Sequence, residues 1–265
     1  MHPAERLRAV ARWSGDGGAL AIEAASALAA FAEIEDSAGL LVACRRVLAH
    51  HPGCGPLWWT CARVLASPDP AAAAREAAGL LDADRTSERL SASLPLVDPD
   101  SVVAVVGWPD AADRALASRV DVAAVAVRVA GEDPVPALRE RTVERSIRVV
   151  NPSDLEILSV QMVLAGAAAL DGGRAFVPRG AAEVIRIVGN RPEAWLIGGV
   201  GKVLPARLAD AMSAAVEVAA ATDPLIEVVS LDLFDRVAGP KGIGSPSDVE
   251  VRVDCPSPPE LLRPL

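Results

Sequence analysis

The chain has 265 residues, with 35 acidic and 26 basic side chains and a formal charge of -9. Hydrophobic residues make up 51% and the mean hydropathy is +0.30, which is enough for a sizeable core and too much for intrinsic disorder. The acid excess excludes broad nucleic-acid binding, because a phosphate backbone would be repelled.

Charges interrupt every apolar stretch before the roughly 18 residues needed to cross a bilayer. The opening MHPAERLRAVARW has no apolar run ahead of a cleavage site. The expectation is therefore a cytoplasmic chain with neither membrane span nor secretion signal. Tyrosine is absent and Phe occurs three times, so the core must be built from Val, Leu, Ile and Ala, with the five Trp as large single anchors. Cys44, Cys54, Cys61 and Cys255 are expected to be reduced. Cys44, His50, His51, Cys54 and Cys61 raise the question of zinc. Their spacing matches no compact pairing of ligands, so buried structural thiols and no metal are expected.

In chain order, residues 4 to about 94 read as helical. Ala19–Ile34, Leu40–Ala49, Leu57–Ala66 and Ala71–Leu81 carry apolar stripes, separated by Pro/Gly turns such as HHPGCGP. The pattern changes at Val97-Asp98-Pro99-Asp100. Strands are predicted at Ser101–Val106, Val122–Val129, Ile147–Val150, Ala194–Ile197 and, very short, Met162–Ala165, with Leu225–Leu233 extended. Helices are predicted between them at 109–118, 136–142, 154–159, 180–188 and 208–219. The predicted fold class is α/β: a helical domain over 1–96, then a Rossmann-like domain over 97–265 with a parallel sheet covered by helices on both faces. The Gly/Pro/Ser-rich stretch 239–248, which contains Lys241, reads as a mobile surface loop.

Ligands of an open parallel sheet bind beyond the carboxyl ends of its strands. Those ends read Gly107-Trp108-Pro109-Asp110, Arg128-Val129-Ala130-Gly131, Asn151-Pro152-Ser153-Asp154, Gly166-Ala167-Ala168 and Gly198-Gly199-Val200-Gly201-Lys202. No Gly-x-Gly-x-x-Gly follows a strand. Lys202 lacks the phosphate-loop pattern, with Val203 in the Ser/Thr place and Leu196 in that of the first Gly. Gly-x-Ser-x-Gly is missing, and His at only 2, 50 and 51 leaves little for a Ser-His-Asp triad. No cofactor is expected. Asp110 and Asp113 read as an N-terminal charge pair on a helix.

The order of these segments resembles the family of the alpha, beta and delta regulatory subunits of translation initiation factor 2B. That family also holds the isomerases of methylthioribose 1-phosphate and ribose 1,5-bisphosphate. Trp13-Ser14-Gly15 is similar to its Arg-Gly or Ser-Gly turn, and His51-Pro52 before Pro56-Leu57-Trp58 to its Arg-Pro-Thr turn. Val163 to Leu170 resembles its run through Gly-Ala-Asp, and Val177-Pro178-Arg179-Gly180-Ala181 its Asn-Lys-x-Gly-Thr. Gly201-Lys202-Val203 resembles its Tyr-Lys-Phe turn, and Asp254 with Pro258-Pro259-Glu260-Leu261-Leu262 its closing Asp and Pro-Pro-Glu-Leu-Ile.

The resemblance implies paired C-terminal domains, hence a homodimer. It also implies that the isomerases' proton-shuttling Cys and Asp fall here on Gly107/Trp108 and Ala168, which move no proton. The expected function is a non-catalytic, binding or regulatory member, sensing a small phosphorylated metabolite or serving as a subunit beside a protein partner. The alternative is an active isomerase with a rebuilt site using Asp110, Asp171 or Asp254 as base. The candidate ligand residues are Gly15, His51, Trp108, Arg128, Arg179, Lys202 and Asp254, with Arg12 approaching from the helices. Arg128, Arg179 and Lys202 read either as ordinary surface charges or as a residual anion pocket.

Overall fold

Residues 3–12, 17–129, 147–189, 192–219, 225–249 and 253–265 are described in a computed structural model of the chain. Gly15 and the helix predicted at 136–142 lie outside them. The Ala/Leu periodicity of the first part gives α1 (Pro3–Val10), α2 (Gly17–Ala32), α3 (Ser37–His50), α4 (Gly55–Ala66), α5 (Pro70–Asp82) and α6 (Thr86–Ser93). Local chemistry sets their starts. Asp36 accepts from the Gly39 amide at 2.8 Å and Asp69 from the Ala72 amide at 2.9 Å, caps that contribute about 1 kcal/mol each. Proline stands in the first turn of α4 and of α5, where its missing N–H costs nothing.

The buried stripes of α1 to α5 meet around Leu28, Leu48, Leu57, Trp58 and Trp59, all fully buried. Helix α6 departs from this bundle. Its Leu90, with Leu94 just beyond it, packs on the sheet alongside helix α7 (Asp110–Ala117).

The main sheet holds β1 (Val102–Val106), β2 (Ala124–Val127), β3 (Arg148–Val150), β4 (Val160–Gly166), β7 (Glu193–Ile197), β9 (Arg236–Gly239) and β10 (Gly242–Gly244). Their order is β10-β9-β7-β4-β1-β2-β3, parallel throughout except for the β10–β9 hairpin. Strands covered on both faces should be apolar at successive positions, and β1 reads VVAVV. Val103 and Val105 face α6 and α7, while Ala104 and Val106 face the opposite core.

That opposite face carries helix α8 (Ala181–Val188) and a second, antiparallel sheet of β5 (Ala169–Leu170), β6 (Arg174–Pro178) and β8 (Ile226–Ser230). The small sheet joins two cores. Ala175 and Val177 of β6 belong to the core of the main sheet, and Phe176 between them belongs to the helical core, together with Leu208 and Met212 of helix α9 (Ala206–Ala219).

Three expectations need correction. The short strand predicted at 162–165 runs over seven residues as β4, the longest in the sheet. The stretch 154–159 forms a 3-10 helix over Pro152–Ile157, consistent with a proline start and a capping box from Asn151 and Asp154. The stretch 239–248 is no open loop: it closes the β9–β10 hairpin, with Gly242 at φ +117° where a side chain would be strained. Lys241 sits at the turn of that hairpin.

Candidate functional site

The chain leaves β1 toward β2 on one side and β4 toward β7 on the other, so the topological switch point lies between β1 and β4. That crevice is filled. A Cβ on Gly166 at the end of β4 would lie 2.7 Å from Cβ of Pro109, so the two strand ends are in direct contact. Beyond β4, the Ala168 carbonyl accepts from the Gly55 amide at the start of α4, at 3.1 Å.

Trp108, one of the candidate ligand residues, turns inward. It is 6% exposed, packs in the core under α7, and its indole N–H donates to Asp113 at 2.9 Å. Its φ of 51° is left-handed, a conformation that a bulky residue holds only where its surroundings impose it.

The other candidates occupy different places. His51 is half-buried, and its Nε2 donates to the Val10 carbonyl at 2.9 Å, tying the α3–α4 turn to the end of α1. Arg12 is exposed in the turn after α1. Arg128 and Arg179 are both exposed and are close along the chain to a contact between Val129 and Gly180, where a glycine Cβ would meet Val129 at 3.5 Å. Lys202 is half-buried at the end of β7, and its carbonyl accepts from the Leu170 amide at 2.8 Å.

Asp254 is anchored to the helical core: it accepts from the indole of Trp59 at 3.1 Å, and Arg63 stacks over that ring at 4.9 Å. Of the acids considered as bases, Asp171 has both oxygens engaged, Oδ1 by the amides of Gly173 and Arg174 and Oδ2 by the Arg174 guanidinium at 2.6 Å. Asp110 pairs with Arg114 at 2.7 Å.

A cleft of about 90 Å³ opens at the ends of β7 and β9. It is lined by the glycine loop 198–201, the hairpin turn 239–241, Val203, Val237, Val249 and Asp254. Neither Arg128 nor Arg179 reaches it. Asp84, which the sequence reading passed over, holds the loop from below. Its Oδ2 accepts from the Val200 amide at 3.0 Å, and its Oδ1 takes the amide and hydroxyl of Thr86 at 2.9 and 2.6 Å. The signal was present as Asp84-Arg85-Thr86 ahead of α6, since an Asp before a helix start commonly turns its carboxylate onto nearby amides.

Cys44, Cys61 and Cys255 are buried and Cys54 is half-buried, all four as free thiols. Cys61 is pushed well up, first by its hydrogen bond with Cys44 and then by burial. Burial, followed by the charge of Asp254, pushes Cys255 up to about 12. No group of three metal-ligating side chains forms among the described residues. An alkylating reagent at roughly pH 8 should therefore leave Cys61 and Cys255 unmodified in the folded protein and label both in denaturant, as read by peptide mass spectrometry. Rapid labelling of either in the folded state would contradict their placement.

No protein-family model and no curated protein sequence matches the chain. Solved structures do. A translation initiation factor eIF-2B from Pyrococcus horikoshii OT3 superposes with a TM-score of 0.68 at 13% identity, over 92% of this chain and 97% of that one. The tetrameric eIF2B beta2-delta2 complex from Chaetomium thermophilum gives 0.67 at 15%, over 94% and 92%. The 5-methylthioribose 1-phosphate isomerase of Pyrococcus horikoshii OT3 gives 0.63 at 11%, over 94% and 86%. Across nearly its whole length, then, the chain has the fold shared by the eIF2B subunits and 5-methylthioribose 1-phosphate isomerase.

Proposed function

We propose that this chain is a non-catalytic binding or regulatory protein on the eIF2B and isomerase fold, one that senses a small phosphorylated metabolite. The observation that carries the non-catalytic part of this reading is the filled switch point. Pro109 abuts Gly166, and Gly107/Trp108 and Ala168 stand where the resemblance puts the proton-shuttling Cys and Asp. A reaction that moves a proton between neighbouring carbons needs a group that can take it, and none of these residues offers one. On this reading the helical residues 1–96 and the Rossmann-like residues 97–265 form two domains, the C-terminal domains pair in a homodimer, and the protein works in the cytoplasm. The tetrameric assembly of the Chaetomium thermophilum relatives supports the oligomeric part.

The test has two arms. Purified protein should not turn over methylthioribose 1-phosphate or ribose 1,5-bisphosphate. A sugar phosphate at about 100 times its Kd should add roughly 2.7 kcal/mol of stability, a shift of several degrees, and comparing Arg179→Ala with Lys202→Ala identifies which of these separated cations holds the phosphate. Turnover would favour a rebuilt active site instead. In that case Asp254 is the base to test, because its Oδ2 has no partner among the described residues, and Asp254→Asn should abolish the activity. Silence in both arms would point to an interaction subunit with no small ligand.

A further inference from the structure

We propose that the cleft at the ends of β7 and β9 binds a small zwitterion, an α-amino acid with a short apolar side chain. This rests on the non-catalytic binding role above and places a second ligand two strands away from the filled switch point. Gly199 and Gly201 are buried and line the cleft. Among the described residues neither of their amides donates to any acceptor, whereas the Val200 amide between them is taken by Asp84. Buried amides without a partner are rare in folded proteins, and an acceptor bound in the cleft would satisfy these two.

The charged groups define the rest of the ligand. Lys241 lines the cleft with no partner among the described residues, and Asp254 lines it with Oδ2 likewise unpaired. A carboxylate satisfies the two amides and the Lys241 ammonium, and an ammonium on the adjacent carbon satisfies Asp254. Val203 and Val237 offer apolar surface to a short alkyl group, and about 90 Å³ admits only a few heavy atoms. A phosphate dianion would satisfy the same donors but set its charge against Asp254, in a chain already at -9.

The experiment is titration of the full chain with L-alanine and L-valine, by calorimetry and by following the amides of Gly199 and Gly201 in nitrogen-15 NMR spectra. L-lactate, isobutylamine and inorganic phosphate are the controls. The expected result is saturable binding of an amino acid that shifts both glycine amides and exceeds each control by about ten-fold or more, the usual worth of a hydrogen bond to a charged group. Lys241→Ala and Asp254→Asn should each weaken it by about ten-fold. The first alters only an exposed turn, and the second keeps an acceptor for Trp59.

No binding of either amino acid at millimolar concentration, equal affinity in both variants, or phosphate binding more tightly than the amino acids would overturn the proposal. If sugar phosphates shift the unfolding temperature without being turned over, that failure belongs to this cleft alone. Sugar-phosphate turnover is what would overturn the non-catalytic reading.

Discussion

Replacing Trp59 with alanine is expected to destabilise the protein by about 4 kcal/mol. The side chain is fully buried in the helical core, and truncating a buried Trp removes its transfer free energy and leaves a cavity that neighbours fill only in part. Three structures lean on this ring. Its N–H donates to Asp254, which fastens the C-terminal segment to α4. Arg63 stacks on its face at 4.9 Å. A Cβ on Gly201 would lie 3.3 Å from its Cε3, so the indole backs directly onto the glycine loop of the cleft. Trp59→Phe separates these contributions: it keeps most of the apolar volume and loses the N–H, which should cost about 1 kcal/mol for the hydrogen bond plus the smaller packing loss. Urea unfolding at equilibrium measures both. An alanine variant within about 1 kcal/mol of the parent would mean that the ring is not the hub described here.

The same residues show which parts of the structure were legible in the sequence. The helices before residue 94 were readable because their apolar positions repeat at helical spacing and Pro/Gly turns separate them. The parallel strands β1, β2, β3, β4 and β7 were readable because burial on both faces leaves short runs of Val, Ile and Ala with no alternation. The hairpin of β5 and β6 was not read, although Asp171-Gly172-Gly173 sits between two short apolar runs, a turn signal in its own right. A two-residue strand carries almost no pattern of its own and is held in place by its partner. The β9–β10 hairpin was hidden by its Gly and Pro content.

At the site, the strand ends could be found from topology alone. Which of their side chains converge could not, because convergence depends on contacts between distant segments. Pro109 meeting Gly166, and the Asp84 carboxylate meeting the Val200 amide, have no local signature. Lys241 came into the cleft only when its loop proved to be a hairpin beside β7.

Gly55→Ala should destabilise the protein by roughly 2–3 kcal/mol, against the local preference of the helix it begins. Alanine is the better helix former by about 1 kcal/mol, and Gly55 has no left-handed φ that would demand glycine. What decides the sign is space. An added Cβ would sit 2.4 Å from the Ala168 carbonyl oxygen, 2.9 Å from Cβ of Ala169 and 3.2 Å from its Cα. The nearest of these is a backbone atom of a segment hydrogen-bonded to β6 and cannot swing aside. Relief requires moving α4 as a whole, yet Pro56, the next residue, stands 3.0 Å from where a Cβ on Gly201 would be. The start of α4 is therefore wedged between the ends of β4 and β7.

Gly79→Ala is the matched control. It lies within α5, is exposed, and a Cβ there meets nothing within 4 Å. The same substitution should stabilise by up to about 1 kcal/mol at that position. Thermal unfolding of the two variants should move in opposite directions, at roughly 2–4 °C per kcal/mol. If Gly55→Ala were as stable as the parent, α4 would have to be free to back away from the ends of β4 and β7, and the close fit of its first turn against Ala168 and Gly201 would not hold.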